Sequence, residues 1–215
     1  VIALSLVREK ICDYKLLLEA DNYFFPLNHR HFIIYKPYGY LSQFKYELKR
    51  NKKLLGEFFD FPQSTMAIGR LDEDSEGLLL LTTDGKVSDQ ICSRHYEREY
   101  YVQVDGLIDQ TAIEKIKSGV EIGLEGTKYF TQPCEAFILP AIPILPARAK
   151  KIRDERHGPT SWASITVREG KFRQVRKMTA AVGFPTLRLV RVRIGNVHLG
   201  TLSPGEVVEV NAFHV

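Results

Sequence analysis

A chain of 215 residues is long enough for one sizeable domain or two small ones, and at 44% hydrophobic residues it can bury a core, which excludes wholesale disorder. The net charge is only +4, but Lys171 to Arg193 holds seven basic residues and no acidic one, a stripe suited either to a polyanion such as nucleic acid or to solvent. Cys12, Cys92 and Cys134 are far apart and odd in number, which argues against a disulfide framework or a zinc site and fits a reducing compartment. The apolar opening VIALSLV runs straight into Arg8, Glu9 and Lys10 with no basic leader, and no apolar run approaches bilayer-spanning length. A cytoplasmic protein without membrane attachment is the expectation.

In chain order, residues 1–30 are irregular, with a turn at Pro26 and Asn28, and Phe32 to Leu41 reads as a strand entering a Pro/Gly turn. Residues 45–60, rich in Lys and Leu, look helical. A polar loop from Asp72 to Gly77 precedes a buried strand, Leu78 to Thr82, and Ser88 to Ser93 continues as a helix. Tyr100 to Val104 alternates as a strand; Asp109 to Ser118 has helical spacing, with Asp109 placed to cap it and Gly119 to stop it. Residues 139–160 hold four prolines and a basic run, which predicts an exposed loop. Ser161 to Gly170 returns as strand and turn, Phe172 to Val182 as a helix, Leu187 to Ile194 as a strand, and a last strand follows the Pro204-Gly205 turn. The count favours strands without a βαβ rhythm, so the fold class is α+β with a mixed, mostly antiparallel sheet.

The chemistry concentrates in Asp72, Glu73, Asp74 and Glu76, between Arg70 and Gly77. Asp72-x-Asp74-x-Glu76-Gly77 superficially opens a calcium loop, but Thr83 stands where such a loop needs a bidentate carboxylate. The segment could equally be a solvated turn. A third reading takes Asp72 as a nucleophile or base, with nearby Arg70 stabilising its ionised form. No dinucleotide fingerprint, P-loop, zinc motif or G-x-S-x-G elbow is present, and the six histidines show no metal or triad pairing.

The stretch GRLDEDSEGLLLLTTDG (Gly69 to Gly85) resembles the signature of the RsuA/RluB/RluE/RluF family of pseudouridine synthases. Lys36-Pro37-x-Gly39 resembles the family's early K-P-x-G motif, and Arg98-Glu99-Tyr100 its K-x-Y motif with Arg for Lys. Glu169 to Gly195 resembles the late basic motif nearly throughout, and Gly205-Glu206 the closing G-E pair. PTSW (Pro159 to Trp162) and TAAVGFPTLRL (Thr179 to Leu189) are most similar to the RluE branch, which modifies a single uridine in 23S ribosomal RNA. Many relatives carry an N-terminal S4 domain. Only about 30 residues precede the first motif here, so the expectation is a short segment over 1–30 without that domain, then a catalytic domain over 31–215.

The resemblance implies the pseudouridine synthase fold, with helices and loops flanking the sheet around a central cleft. It implies Asp72 as catalytic residue, adding to C1′ or removing the C2′ proton, with Arg176 paired to it and Tyr100 stacked on the flipped uracil. Leu189 would pack the pocket floor, and Lys36, Arg70, Arg173 and Lys177 would contact phosphate or sugar. Arg148, Lys150, Lys151, Arg153 and Arg156 of the Pro-rich loop are candidates for a peripheral RNA contact. The expected partner is 23S ribosomal RNA, with no metal or cofactor and a monomeric enzyme. Two alternatives stand beside this reading: a non-catalytic RNA-binding ribosome-assembly factor on the same fold, and a metal-dependent phosphoesterase using the acidic loop.

Overall fold

The structure is a computed structural model that describes residues 29–45, 52–93, 96–152 and 155–215. The N-terminal segment up to residue 28 and the Lys/Leu-rich stretch over 46–51 lie outside them. Strands are β1 (His31–Lys36), β2 (Tyr40–Leu41), β3 (Lys53–Leu54), β4 (Met66–Ile68), β5 (Glu76–Thr82), β6 (Arg98–Asp105), β7 (Glu121–Leu124), β8 (Thr127–Phe130), β9 (Glu135–Ile138), β10 (Thr160–Val167), β11 (Thr186–Ile194), β12 (Val197–His198) and β13 (Val207–Val210). Helices are α1 (Gly85–Ser93), α2 (Gln110–Ser118) and α3 (Gln174–Ala181).

Nine strands form one sheet in the order β13-β1-β5-β11-β6-β10-β9, with β4 on β5 and β12 on β11. Within it, β5 and β11 run parallel and the other neighbours antiparallel, so the sheet is mixed and mostly antiparallel as expected. The four leucines of β5 explain its central position. Leu78 and Leu80 face one apolar cluster with Tyr35, Ile68 and Val190, while Leu79 and Leu81 face another with Phe32, Ile34 and Leu55. Alternation puts successive side chains on opposite faces, and a continuous leucine run satisfies a strand buried on both. A third cluster gathers Val102, Val104, Ile113, Ile116, Ile165 and Met178 from β6, α2, β10 and α3.

The sheet has two halves that meet where β5 lies beside β11, and one apolar cluster spans that junction through Leu78, Leu80 and Val190. That contact is only two residue pairs long, Val190 with Glu76 and Arg191 with Gly77. Gly77 has φ +103, and a Cβ there would fall on the Arg191 carbonyl oxygen and 2.8 Å from its nitrogen. Only glycine lets the strands approach this closely.

Several expectations are met locally. The Asp109 carboxylate accepts from the Ala112 N–H at 2.7 Å, and the Gly119 N–H bonds to the Ile116 carbonyl, so α2 starts and stops where the sequence places its ends. Others are corrected. Within the stretch 45–60 expected to be helical, the described residues 53–57 form β3 and a one-turn 3-10 segment, Leu55–Glu57. The hairpin of β7 and β8 escapes the sequence reading because its turn is Glu125-Gly126, not Asn-Gly or Asp-Gly. Both residues have positive φ, +48 and +82, as a type I′ turn requires. Finally, α3 begins at Gln174 rather than Phe172, with Arg173 as a left-handed cap at φ +53.

Candidate active site

Asp72 sits at the head of a tight turn leading into β5. The Ser75 N–H bonds to the Asp72 carbonyl at 3.0 Å and closes that turn. On the other side the Ser42 hydroxyl bridges both backbone groups of Leu71, at 2.8 and 3.0 Å, and the Gly39 N–H bonds to the Glu73 carbonyl at 2.8 Å. The backbone around Asp72 is thus held to the turn after β1. Its side chain, 27% exposed, opens into a cleft of about 800 Å³ whose lining includes Arg70, Tyr100, Phe172, Arg173, Leu189 and Arg191. Asp72 comes from one half of the sheet, and Tyr100, Arg173 and Leu189 from the other.

The carboxylates of the loop have separate partners. Asp74 receives a bidentate pair from Arg173, both bonds 2.8 Å. Glu73 pairs with Lys52 at 2.8 Å, and Glu76, almost wholly buried, is held by Arg188 at 3.1 and 2.9 Å. Glu73, Asp74 and Glu76 each pair with a different cation, and among the described residues no group of three or more His, Cys, Asp or Glu could hold a metal ion.

Asp72 and Asp74 have their pKa values shifted in opposite directions. Burial pushes Asp72 above the ordinary carboxylate range; Arg173 opposes this most, Asp74 adds to it, and Arg176 and Lys36 pull it back. Burial acts on Asp74 too, but the Arg173 hydrogen bonds and the charges of Arg176 and Arg173 bring it below that range.

Three expectations about individual residues need correction. Arg176 does not pair with Asp72: its Nη2 donates to the Asp74 carbonyl at 2.8 Å and the Ser75 hydroxyl at 3.3 Å, and the ion pair to Asp72, at 3.4 Å, comes from Arg173. The late start of α3 is the cause, because the left-handed cap swings Arg173 over the loop and leaves Arg176 in the first turn. Lys36 is fully buried, its Nζ donating to the Pro37 and Tyr40 carbonyls at 3.0 and 2.7 Å, so it braces the turn and cannot reach a phosphate. Arg70 is exposed on the cleft wall, but the principal charges on Asp72 are Arg173, Asp74, Arg176 and Lys36, and its pKa is raised, not lowered. Lys177 projects over the Phe172 ring, with Nζ 5.2 Å from the centroid. Leu189, nearly buried, joins the cleft lining to the third apolar cluster, and the partly buried Tyr100 packs on two clusters.

The sequence reading missed the support of the loop from behind. Arg148 is ion-paired to Glu76 at 3.2 Å without a well-aligned hydrogen bond, and it donates to the carbonyls of Leu187 at 3.2 Å and Asp74 at 3.5 Å. Its guanidinium lies 4.0 Å over the Tyr38 ring. Arg188 also bonds to the Pro146 carbonyl at 2.8 Å. The available signal was Glu76 itself, since a carboxylate opening a buried leucine strand must find a cation. Arg191 was legible only as part of a basic stripe; it is buried, and its Nε donates to the Leu78 carbonyl at 2.8 Å.

Fold and site define an RNA-modifying enzyme. A solved structure described as a pseudouridylate synthase superposes with a TM-score of 0.66 at 29% identity, over 85% of this chain and 70% of that one. Residues 30–181 match the family described as RNA pseudouridylate synthase, and the chain belongs to that family. Among its relatives, ribosomal large subunit pseudouridine synthase E of Xanthomonas campestris pv. campestris is 42% identical over 176 residues, 81% of this chain and 91% of the relative. The E enzyme of Vibrio parahaemolyticus is 40% identical over 187 residues, 86% of this chain and 75% of the relative. Ribosomal large subunit pseudouridine synthase B of Bacillus subtilis is 30% identical over 188 residues, covering 86% and 69%. The chain is an isomerase acting on RNA.

Proposed function

We propose that this enzyme converts one specific uridine of 23S ribosomal RNA to pseudouridine, with Asp72 as its catalytic residue and residues 31–215 as its catalytic domain. The observation that carries the assignment is Asp72 itself, braced through its backbone, open to the cleft and faced by Arg173 at 3.4 Å. The reaction breaks N1–C1′, turns the uracil and joins C5 to C1′; the C5 proton leaves and N1 gains one. Atoms and electrons balance within the nucleotide, so no redox equivalent or phosphate donor is consumed. Addition of the carboxylate to C1′ and removal of the C2′ proton both start from ionised Asp72.

The target base must leave its stack to reach this carboxylate, at a cost of a few kcal/mol that is least in a loop or distorted stem. In this reading Tyr100 stacks on the flipped uracil and Leu189 closes the floor beneath it. Arg173 orients the acidic loop through Asp74, and Arg176 holds the same turn through the Asp74 carbonyl and Ser75. Arg70 supplies a phosphate contact at the rim. The enzyme acts as a monomer in the cytoplasm, where its RNA is found; sedimentation as a dimer would correct the first point.

The test is tritium release from 23S transcripts labelled with 5-tritiated uridine. Wild type releases tritium, and Asp72→Asn abolishes release while still binding the transcript. Release by Asp72→Asn at the wild-type rate would sink the catalytic assignment. Salt-sensitive binding without release by wild type would support an assembly factor instead.

A further inference from the structure

Phe172 is 65% exposed in the cleft wall, between Lys171 and Arg173 in the chain. Single exposed apolar side chains are common and mean little by themselves. What sets this one apart is how rigidly it is presented. It occupies the tip of a turn in which the Lys171 N–H donates to the Gln174 side chain and the Gln174 N–H to the Lys171 carbonyl, each at 3.1 Å. Gln174 is itself buried and donates to Glu169 at 2.6 Å, and the next residue along, Arg173, is fixed on Asp74. An aromatic ring on a pinned turn forfeits little conformational freedom when a ligand covers it. Lys177 Nζ lies 5.2 Å from the ring centroid, and the ring remains largely exposed.

We propose that Phe172 is a stacking subsite for an unpaired nucleobase adjoining the target uridine. The proposal rests on the reading of the cleft as an RNA site. A flat π-face suits a base, and Lys171 beside it in the chain and Lys177, with Nζ 5.2 Å from the ring centroid, supply charge for the flanking phosphates. The ring lines the same cleft as Asp72, so a base stacked there lies near the flipped nucleotide without entering the reacting position. Stacking of this kind tolerates any base identity. It therefore holds the strand in register while the fit of the uracil is decided deeper in the cleft.

Four variants and one probe test this. Phe172→Ala and Phe172→Leu raise KM for the 23S transcript about 10-fold, in the range expected for loss of one base–aromatic stack. Their kcat stays within about 2-fold, because Phe172 is not in contact with the reacting atoms. Phe172→Tyr and Phe172→Trp keep KM near wild type. The native chain has one tryptophan, the nearly buried Trp162, so Phe172→Trp adds an exposed fluorophore at the proposed site. Hexauridylate quenches that emission, whereas an abasic hexamer of equal charge does not. A wild-type KM in Phe172→Leu, or equal quenching by both hexamers, overturns the subsite. Failure of the proposed function reads differently: wild type would release no tritium, while the fluorescence titration would still report on stacking.

Discussion

Asp72 and Asp74 lie two positions apart in one turn, yet their surroundings drive them in opposite directions. Arg173 is the hinge of that difference, bidentate on Asp74 and 3.4 Å from Asp72. On the proposed role of Asp72, activity needs its ionised form; burial raises its pKa, so the acid limb of activity should fall above the range of an ordinary aspartate. Arg173 is the strongest influence lowering that pKa. Arg173→Gln therefore moves the acid limb to higher pH, a shift read from tritium-release rates across a pH series; an unmoved limb would break the link between Asp72 ionisation and Arg173. Lys36 gives a prediction about stability. Burial lowers its pKa from 10.5 to about 7, against the pull of Glu76, Asp72, Asp74 and Glu73. A lowered folded-state pKa means that the unfolded chain takes up the proton first as pH falls. Stability is then full above pH 10.5, declines towards 7 and levels off below. Urea midpoints between pH 10 and 7 should fall more steeply for wild type than for Lys36→Met, and parallel slopes would refute the assignment.

At the scale of elements, the Pro-rich stretch over 139–152 joins two characters. Ile142 and Ile144 stand out in solvent, while Arg148 turns inward to touch Glu76, Tyr38 and the Asp74 carbonyl. The loop is a buttress of the catalytic turn as well as a basic surface. Arg148→Ala should lower kcat about 10-fold with little change in KM, since small misplacements of a reacting group are costly. Arg188 remains bidentate on Glu76, so the buried carboxylate keeps a partner and the variant folds. Lys150→Ala, at the outer surface, should raise KM instead; the two variants separate buttress from RNA contact in one set of steady-state rates. These elements also mark how far the sequence could be read. Strands such as β5, β6 and β11 and the capped α2 were legible because pattern, length and caps agree. The β7–β8 hairpin was not, since most of its side chains are exposed and its turn lacks the usual residues. The acidic loop was legible as a site through its resemblance, but the arginine facing Asp72 was not. Arg173 and Arg176 are one helical turn apart, and only the left-handed backbone at Arg173 decides which one swings over the loop.

For the whole molecule, the short parallel contact between β5 and β11 holds the two sides of the proposed active site together. Asp72 is carried by the half built on β1 and β5, and Tyr100 and Leu189 by the half built on β6 and β11. One apolar cluster, with Leu78 and Leu80 of β5 and Val190 and Ile194 of β11, spans the seam, so a shift there would move Asp72 relative to Tyr100 and disturb that shared core as well. Gly77 tests this. A methyl group there meets the backbone of Arg191, which cannot rotate aside as a side chain could, and the φ of +103 is itself unfavourable for any L side chain. Gly77→Ala should cost about 3 kcal/mol, from overpacking and backbone strain together. Gly85, at the start of α1, has open space around its Cα and no positive φ, so Gly85→Ala should stay within about 0.5 kcal/mol of wild type. Comparing the two in urea and in tritium release separates seam from surface. If Gly77→Ala loses activity under conditions where it remains folded, the approach of β5 to β11 sets the distance between Asp72 and Tyr100; a folded and fully active Gly77→Ala would show that the site tolerates a looser seam.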